Sequence, residues 1–253
     1  MLIGLVGKAG SGKGEVTKFM IEQGYAAIAL ADPMKQFAQD VMGWSDEQLW
    51  GASELRSTPD SRSNVSTCLN CDWFGQLDDC LTRDGEPPEF SRDTPYCPAC
   101  HEPSVTTAPL SPRIFLQLIG TNYGRAIYPD IWVDLALQRA GLILADVVTP
   151  IPFAKSIKYG GIHHLIPGVV ISDVRFINEA KAIKVNGGEL VHVVRPNTDK
   201  VSTGIANHAS EVEQERIPDS WYSATLSNSG TIADLEVHTK ELLSELQKEK
   251  TNA

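Results

Sequence analysis

Leu2-Ile3-Gly4-Leu5-Val6 runs directly into Gly7-Lys8-Ala9-Gly10-Ser11-Gly12-Lys13. The first five residues are an apolar run of strand length, and the next seven are a glycine-rich turn closed by a lysine. Beyond the turn, Val16, Phe19 and Met20 recur at helical spacing, which predicts an amphipathic helix over 15–23. A strand, then G-x-x-x-x-G-K, then a helix is the context of a phosphate-binding loop. The glycines let the backbone curl with its amides inward, and the next helix adds the partial positive charge of its N-terminus. Lys13 is placed to neutralise charge on a phosphoryl group in transfer. These residues predict binding of a nucleoside triphosphate.

The position after Lys13 departs from the general motif. A Ser or Thr whose hydroxyl ligates Mg²⁺ is usual there, but this chain has Gly14, then Glu15. The resulting G-K-G is similar to that of adenylate kinases. It leaves phosphoryl transfer open, puts magnesium on phosphate oxygens and water, and argues against a GTPase-type switch.

A chain of 253 residues can bury a sizeable core. Its 42% hydrophobic and 21% charged content are those of a soluble globular protein. No apolar run reaches the roughly 20 residues that span a bilayer, and the opening run is too short for a secretory signal. A cytoplasmic protein is expected, in the host cytoplasm if the chain is viral. A formal charge of −10 disfavours nonspecific nucleic-acid binding, while a small phosphorylated metabolite needs only a local cluster of Arg and Lys.

Four of the five cysteines form two C-x-x-C pairs, Cys68/Cys71 and Cys97/Cys100. In a cytosolic chain this predicts a tetrahedral zinc site rather than disulfides. Cys80 and His101 are the alternative ligands. The segment is poor in aliphatic residues. Between Cys68 and Glu102 it carries Asp72, Asp78, Asp79, Asp84, Glu86, Glu89, Asp93 and Glu102 against Arg83 and Arg92. Zinc must then stand in for a missing core, and the acidity weighs against a ribbon that grips DNA.

Further along, apolar runs at 26–31, 168–173, 189–194 and 224–226 predict strands. Helices are expected at 34–42 (Met34, Phe37, Ala38 and Val41 on one face) and from about Pro112 (Ile114, Phe115, Leu118, Ile119). More follow at 130–145 (Trp132, Leu135 and Leu142 inward), at 178–186, and at 234–248 (Leu235, Leu242, Leu243, Leu246). The stretch 149–167 suggests a loop or hairpin. Alternating strands and helices predict an α/β fold with a doubly wound parallel sheet, whose ligands sit at strand carboxyl ends. Charged residues fall there: Asp32 and Lys35 after one strand, Asp173 and Arg175 after another, with Glu179 a helical turn on. Arg113 and Arg125 border apolar helical faces, and together with the loop these charges suggest a pocket that matches guanidinium groups to phosphate.

Five blocks occur in one order: Gly7 to Lys13; Ala31-Asp32-Pro33-Met34-Lys35; Leu116-Gln117-x-x-Gly120-Thr121 leading to Trp132; Ser172-Asp173-Val174-Arg175-Phe176-x-Asn178-Glu179-Ala180; and His192-Val193-Val194-Arg195-Pro196. The chain thereby resembles the bacteriophage deoxynucleoside monophosphate kinases, relatives of the dephospho-coenzyme A kinases, over roughly 2–55 and 110–247. The resemblance implies a P-loop kinase core with acceptor-binding and lid segments over 1–63 and 108–253, and a zinc-ribbon-like insert over 64–107. It implies ATP contacts from Gly10, Gly12, Lys13, Gly14 and Glu15. Acceptor contacts would come from Lys35, Arg113, Gly120, Thr121, Trp132, Asp173, Arg175 and Glu179, with Arg56 a further phosphate candidate. Lys13, Asp32 and Arg175 would carry catalysis, with Mg²⁺ on the nucleotide and structural zinc on Cys68, Cys71, Cys97 and Cys100. Arg195, Arg216 and the stretch 207–211 would belong to the lid. The implied reaction is ATP-dependent phosphorylation of deoxynucleoside monophosphates; the rivals are a dephospho-coenzyme A kinase-like enzyme and a zinc-ribbon nucleic-acid-binding protein. A homodimer is implied, with no nucleic-acid or membrane partner.

Overall fold

The computed structural model describes residues 1–50, 54–71, 73–75, 79–80, 82, 94–146, 151, 157–159, 166–196 and 213–251. In chain order the elements are β1 (Leu2–Val6), α1 (Lys13–Glu22), β2 (Ala26–Ile28), α2 (Asp32–Met42), α3 (Asp46–Leu49), β3 (Asn64–Cys68), β4 (Phe74–Gly75) and β5 (Val105–Pro109). They continue with α4 (Pro112–Gln117), α5 (Ile131–Leu144), β6 (Lys158–Tyr159), β7 (Val169–Val174), α6 (Ile177–Val185), β8 (Glu189–Val194), β9 (Ala224–Ser227) and α7 (Ile232–Thr251). Two compact units emerge, Met1–Gln36 with Gly124–Ala253, and Phe37–Tyr123.

The first unit holds a six-stranded sheet in the order β6-β2-β7-β1-β8-β9. Its pairings are parallel except at the edge, where β6 runs antiparallel to β2. Because strand side chains alternate, the apolar run of β1 feeds two cores. Leu2 and Val6 enter the cluster that includes Val133, Ala136 and Ala140 of α5 and Ala180 and Ile183 of α6. Ile3 and Leu5 enter the one that includes Val16, Phe19 and Met20 of α1 and Leu235, Leu242, Leu243 and Leu246 of α7. Gly4 allows a close approach of α6: a Cβ there would lie 2.8 Å from Ile183 Cδ1. This is a mixed α/β architecture with a mostly parallel sheet covered on both faces.

Two helical faces differ from the expectation. On α5 the inward residues are Val133, Ala136, Arg139, Ala140 and Ile143, not Leu135 and Leu142. The helix is apolar almost all round, so periodicity did not fix the stripe, and small Ala136 and Ala140 let its backbone lie close to the sheet. On α2, Met34 and Ala38 are buried, but Phe37 and Val41 are exposed at 45% and 63%.

In the second unit, β4-β3-β5 form an antiparallel sheet across the cysteine segment, which the sequence offered as an acidic, zinc-ribbon-like insert without placing its strands. The Ser66 and Thr107 hydroxyls meet across it at 2.6 Å. Trp44, Ala38 and Leu49 form a separate small core, with Phe115 edge-on to Trp44 at 5.0 Å. The helix starting at Pro112 continues through Gly120-Thr121 as a π-helix over Leu118–Arg125, a local form often found at functional sites, and Ile114 is exposed. Most of 149–167, all of 207–211, and Asp72, Asp78, Arg83, Asp84, Glu86, Glu89, Arg92 and Asp93 lie outside the described residues.

Candidate functional site

The glycine loop leaves the carboxyl end of β1. Gly7 has a φ of +154°, and a Cβ there would sit 2.3 Å from the Val193 carbonyl oxygen of β8. Gly12 has a φ of +103°, and its Cβ would strike Asn228 Nδ2 at 2.3 Å. Both positions therefore need glycine. Asn228, just past β9, donates from Nδ2 to the Ser11 carbonyl at 2.9 Å, and its amide donates to Val194 O at 2.7 Å. It ties the loop to the sheet. Lys13 Nζ donates to the carbonyls of Gly7 and of Lys8, the latter at 2.9 Å, so its ammonium folds back across the loop. Among the described residues no side chain caps the N-terminus of α1, and Gly14 and Glu15 are exposed. The loop thus offers curled backbone, a helix N-terminus and a cation together, the chemistry that cradles a polyphosphate. Lys8 also pairs with Glu215 at 3.1 Å, beside the turn that carries Arg216, whose guanidinium meets Glu213. Arg195 is exposed. Tyr222 stacks on His192 at 4.6 Å, and burial pushes the His192 imidazole below its ordinary range.

A second charged group gathers at the ends of β2 and β7. Asp173 accepts the Leu30 amide at 2.6 Å and the Ala31 amide at 3.2 Å, which fixes the chain where it turns into α2. Burial raises the Asp173 carboxyl above the ordinary carboxylate range, and nearby Asp32 adds to this; the Leu30 amide, Lys35 and Arg175 oppose it. Asp32 accepts the Ala29 amide at 3.2 Å and pairs with Lys35 at 3.3 Å. Glu179 is completely buried. It accepts the backbone amides of Arg175 at 2.8 Å and Phe176 at 3.0 Å, and Arg125 Nη2 at 2.6 Å. Its carboxyl is raised chiefly by burial, against the pull of Arg125.

Asp32, Lys35, Asp173, Arg175 and Glu179, all read from the sequence as site residues, are therefore brought into one electrostatic neighbourhood. Trp132 is half-buried and packs against the larger core of the first unit.

Two residues that the sequence reading gave no site role belong to this neighbourhood or to the loop. Asn228 is one. The other is Arg139, 0% exposed on the inward stripe of α5, with Asp32 among the charges acting on it. A lone arginine within an apolar helical stripe was the available signal for Arg139. Asn228 had none.

The remaining predicted acceptor residues lie in the second unit. Arg56 closes the short helical turn Glu54–Ser57. Arg113 is the second residue of α4, which Ser111 caps by accepting the Ile114 amide at 3.4 Å. Gly120 is buried and Thr121 half-buried within the π-helical turn.

The four cysteines of the two C-x-x-C pairs converge, their Sγ atoms all within 4.8 Å of one another. Cys68 and Cys100 lie 3.6 Å apart, and Cys71 and Cys97 lie 3.7 Å apart. A tetrahedron with Zn–S spokes of about 2.3 Å has edges of about 3.8 Å. The thiols are free rather than joined as disulfides. The two arms match each other: the Asn70 amide donates to Cys68 Sγ at 3.3 Å and the Ala99 amide to Cys97 Sγ at 3.4 Å. His101 takes a φ of 60° as the second arm turns, and its amide returns to Cys97 O at 2.8 Å. The Ser104 hydroxyl beside Cys68 draws that thiol down to about 6. Cys80 is buried next to the cluster. Neither it nor His101 belongs to the four-ligand group found among the described residues. The donor set, spacing and closed geometry could hold zinc.

Fold and site together define a mixed α/β protein whose mostly parallel sheet presents a glycine-rich, lysine-closed loop at a strand carboxyl end. A protein of Acanthamoeba polyphaga mimivirus named "Putative deoxynucleotide monophosphate kinase" is 30% identical over 239 residues, spanning 92% of this chain and 91% of the viral one. The chain belongs to the deoxynucleotide monophosphate kinase family. No family model matches it. The crystal structure of TT1252 from Thermus thermophilus aligns with 97% of each chain at 16% identity, with a TM-score of 0.42. No helix among the described residues is long and apolar enough to cross a membrane.

Proposed function

We propose that this protein transfers the γ-phosphate of ATP to a deoxynucleoside 5′-monophosphate. An oxygen of the acceptor phosphate attacks the γ-phosphorus, the bond to the β–γ bridging oxygen breaks, and ADP leaves beside the new diphosphate. The observation that carries this reading is the loop itself, with Lys13 folded across a glycine-built turn at the head of α1. The name of the mimivirus relative supports the choice of acceptor.

In this reading Gly10, Gly12, Lys13, Gly14 and Glu15 take the donor. Lys35 and Arg175 take the acceptor phosphate, and Trp132 contacts the rest of the nucleotide. The family resemblance would add Arg56, Arg113, Gly120 and Thr121 to the acceptor contacts. Asp173 holds the backbone from which Asp32 and Lys35 project. Lys13 and Arg175 stabilise transferring charge, the main demand of phosphoryl transfer. With no hydroxyl after Lys13, Mg²⁺ would ride on phosphate oxygens and water, with Asp32 ordering one of those waters. The cysteine site would hold structural zinc, ordering 64–107 as an insert in the core 1–63 and 108–253. We place the activity in the cytoplasm of a host cell, in a homodimer.

The test is ADP release with each of the four deoxynucleoside monophosphates, their ribose counterparts and dephospho-coenzyme A as acceptors. Turnover with at least one deoxynucleoside monophosphate, at a kcat/KM well above that for dephospho-coenzyme A, is expected. Turnover confined to dephospho-coenzyme A would overturn the assignment.

A further inference from the structure

Family resemblance assigns Glu179 to the acceptor nucleotide, yet this side chain is 0% exposed and both of its oxygens are engaged. A carboxylate is also the wrong charge to face a phosphate dianion. The group it holds has the right charge. Arg125 is fixed twice, by its Nη2 contact with Glu179 at 2.6 Å and by the Phe176 ring, whose centroid lies 4.0 Å from Cζ. Its Nε and Nη1 are buried and have no hydrogen-bond partner among the described residues. Buried donors on a cation, left without acceptors, are costly, and a guanidinium pinned on one edge keeps little rotamer freedom to lose on binding. Such a group fits an anionic oxygen ligand. Its anchor sits among the acceptor-side charges: Glu179 feels Asp173, and Asp173 feels Lys35 and Arg175.

We infer that Arg125 is the side chain offered here to the phosphate of the acceptor monophosphate, and that Glu179 is its positioning residue. The same carboxylate holds the Arg175 and Phe176 amides. One buried carboxylate therefore holds both the Arg125 guanidinium and the backbone from which Arg175 projects. The inference rests on the monophosphate kinase reading above.

Full-length wild type, Arg125→Lys, Arg125→Met and Glu179→Gln are compared by steady-state kinetics. Calorimetry adds dTMP and dGMP, each against its nucleoside without the 5′-phosphate. Arg125→Met is expected to raise the monophosphate KM by about 10- to 150-fold, the range for a lost charge-assisted contact, with the ATP KM within about twofold. The advantage of monophosphate over nucleoside should shrink by a similar factor. Arg125→Lys keeps the charge opposite Glu179 and serves if the methionine variant does not fold; it should show the same split, because a lysine lacks the fork. Glu179→Gln should follow Arg125→Met in the acceptor KM. Folded Arg125 variants with wild-type monophosphate KM and affinity would overturn the inference and leave the kinase reading standing. A wild type that neither binds nor phosphorylates any deoxynucleoside monophosphate would overturn both.

Discussion

Lys13 illustrates how much one residue can owe to its immediate neighbours. Its ammonium reaches the Gly7 and Lys8 carbonyls because the turn that places it is built by the six residues before it. Lys13→Met should keep the fold and much of the ATP affinity while lowering kcat by about 10²- to 10³-fold. That is the cost of removing one preorganised donor from a developing negative charge. Circular dichroism, nucleotide calorimetry and ADP release measured on one preparation separate the three quantities, and near-normal turnover would exclude the mechanism. Asn228 acts on the same loop from 217 positions away along the chain. Nothing near it in sequence announces that role, because the contact exists only once β9 has been laid beside β8.

At the scale of elements, the cysteine segment depends least on burial. Its small core is Cys68, Cys80, Cys97 and Val105, too little apolar surface to order three short strands unaided. We expect one zinc per chain, bound through Cys68, Cys71, Cys97 and Cys100. Cys97→Ser or chelation should collapse this segment while ATP binding at the loop persists. Metal analysis of protein purified without chelator, followed by hydrogen exchange on the metal-free form, checks this. Protection lost over 94–109 but retained in β1, β7 and β8 is the expected pattern; absence of zinc from the native protein would refute it. The helices divide according to how sharply their apolar residues are patterned. The inward residues of α1 and α7 were legible because polar residues flank each stripe. On α5 the stripe was misplaced because nearly every side is apolar, and on α2 Phe37 and Val41 face solvent although they share the spacing of Met34 and Ala38.

At the scale of the molecule, the two faces of the parallel sheet tie chain segments far apart in sequence into shared cores, and Tyr25 marks one such junction. It is 1% exposed, its ring lies where a side chain on Gly168 would have to go, and its hydroxyl accepts a hydrogen bond from Gln247 of α7 at 3.2 Å. Burial raises the phenol above its ordinary value of 10.0, against a smaller opposing effect of Gln247. The native state therefore holds this proton more tightly than the unfolded chain does. The contribution is fully present below pH 10, and stability falls as pH rises through the native pKa. Melting temperatures between pH 8 and 11.5 should decline at the alkaline end, and Tyr25→Phe should make that decline shallower. An unchanged slope would show that the phenol does not titrate with unfolding.

The sequence by itself determined what depends on short-range order: the strand, glycine loop and helix at the front, the alternation that makes an α/β sheet, and the paired cysteines. Each is written in residues within a few positions of one another, where backbone freedom, periodicity and ligand spacing act directly. It also supplied the charged residues at strand ends, without saying what each would touch. Tertiary structure decided that Glu179 turns inward to hold Arg125 and the backbone of Arg175, that Asp173 clamps the start of α2, and that Asn228 closes the loop. It also added the antiparallel edge strand β6 and the small sheet across the cysteine segment. A charge is desolvated, paired or left exposed only by what distant segments bring beside it, and that juxtaposition arises when the two sheet faces pack.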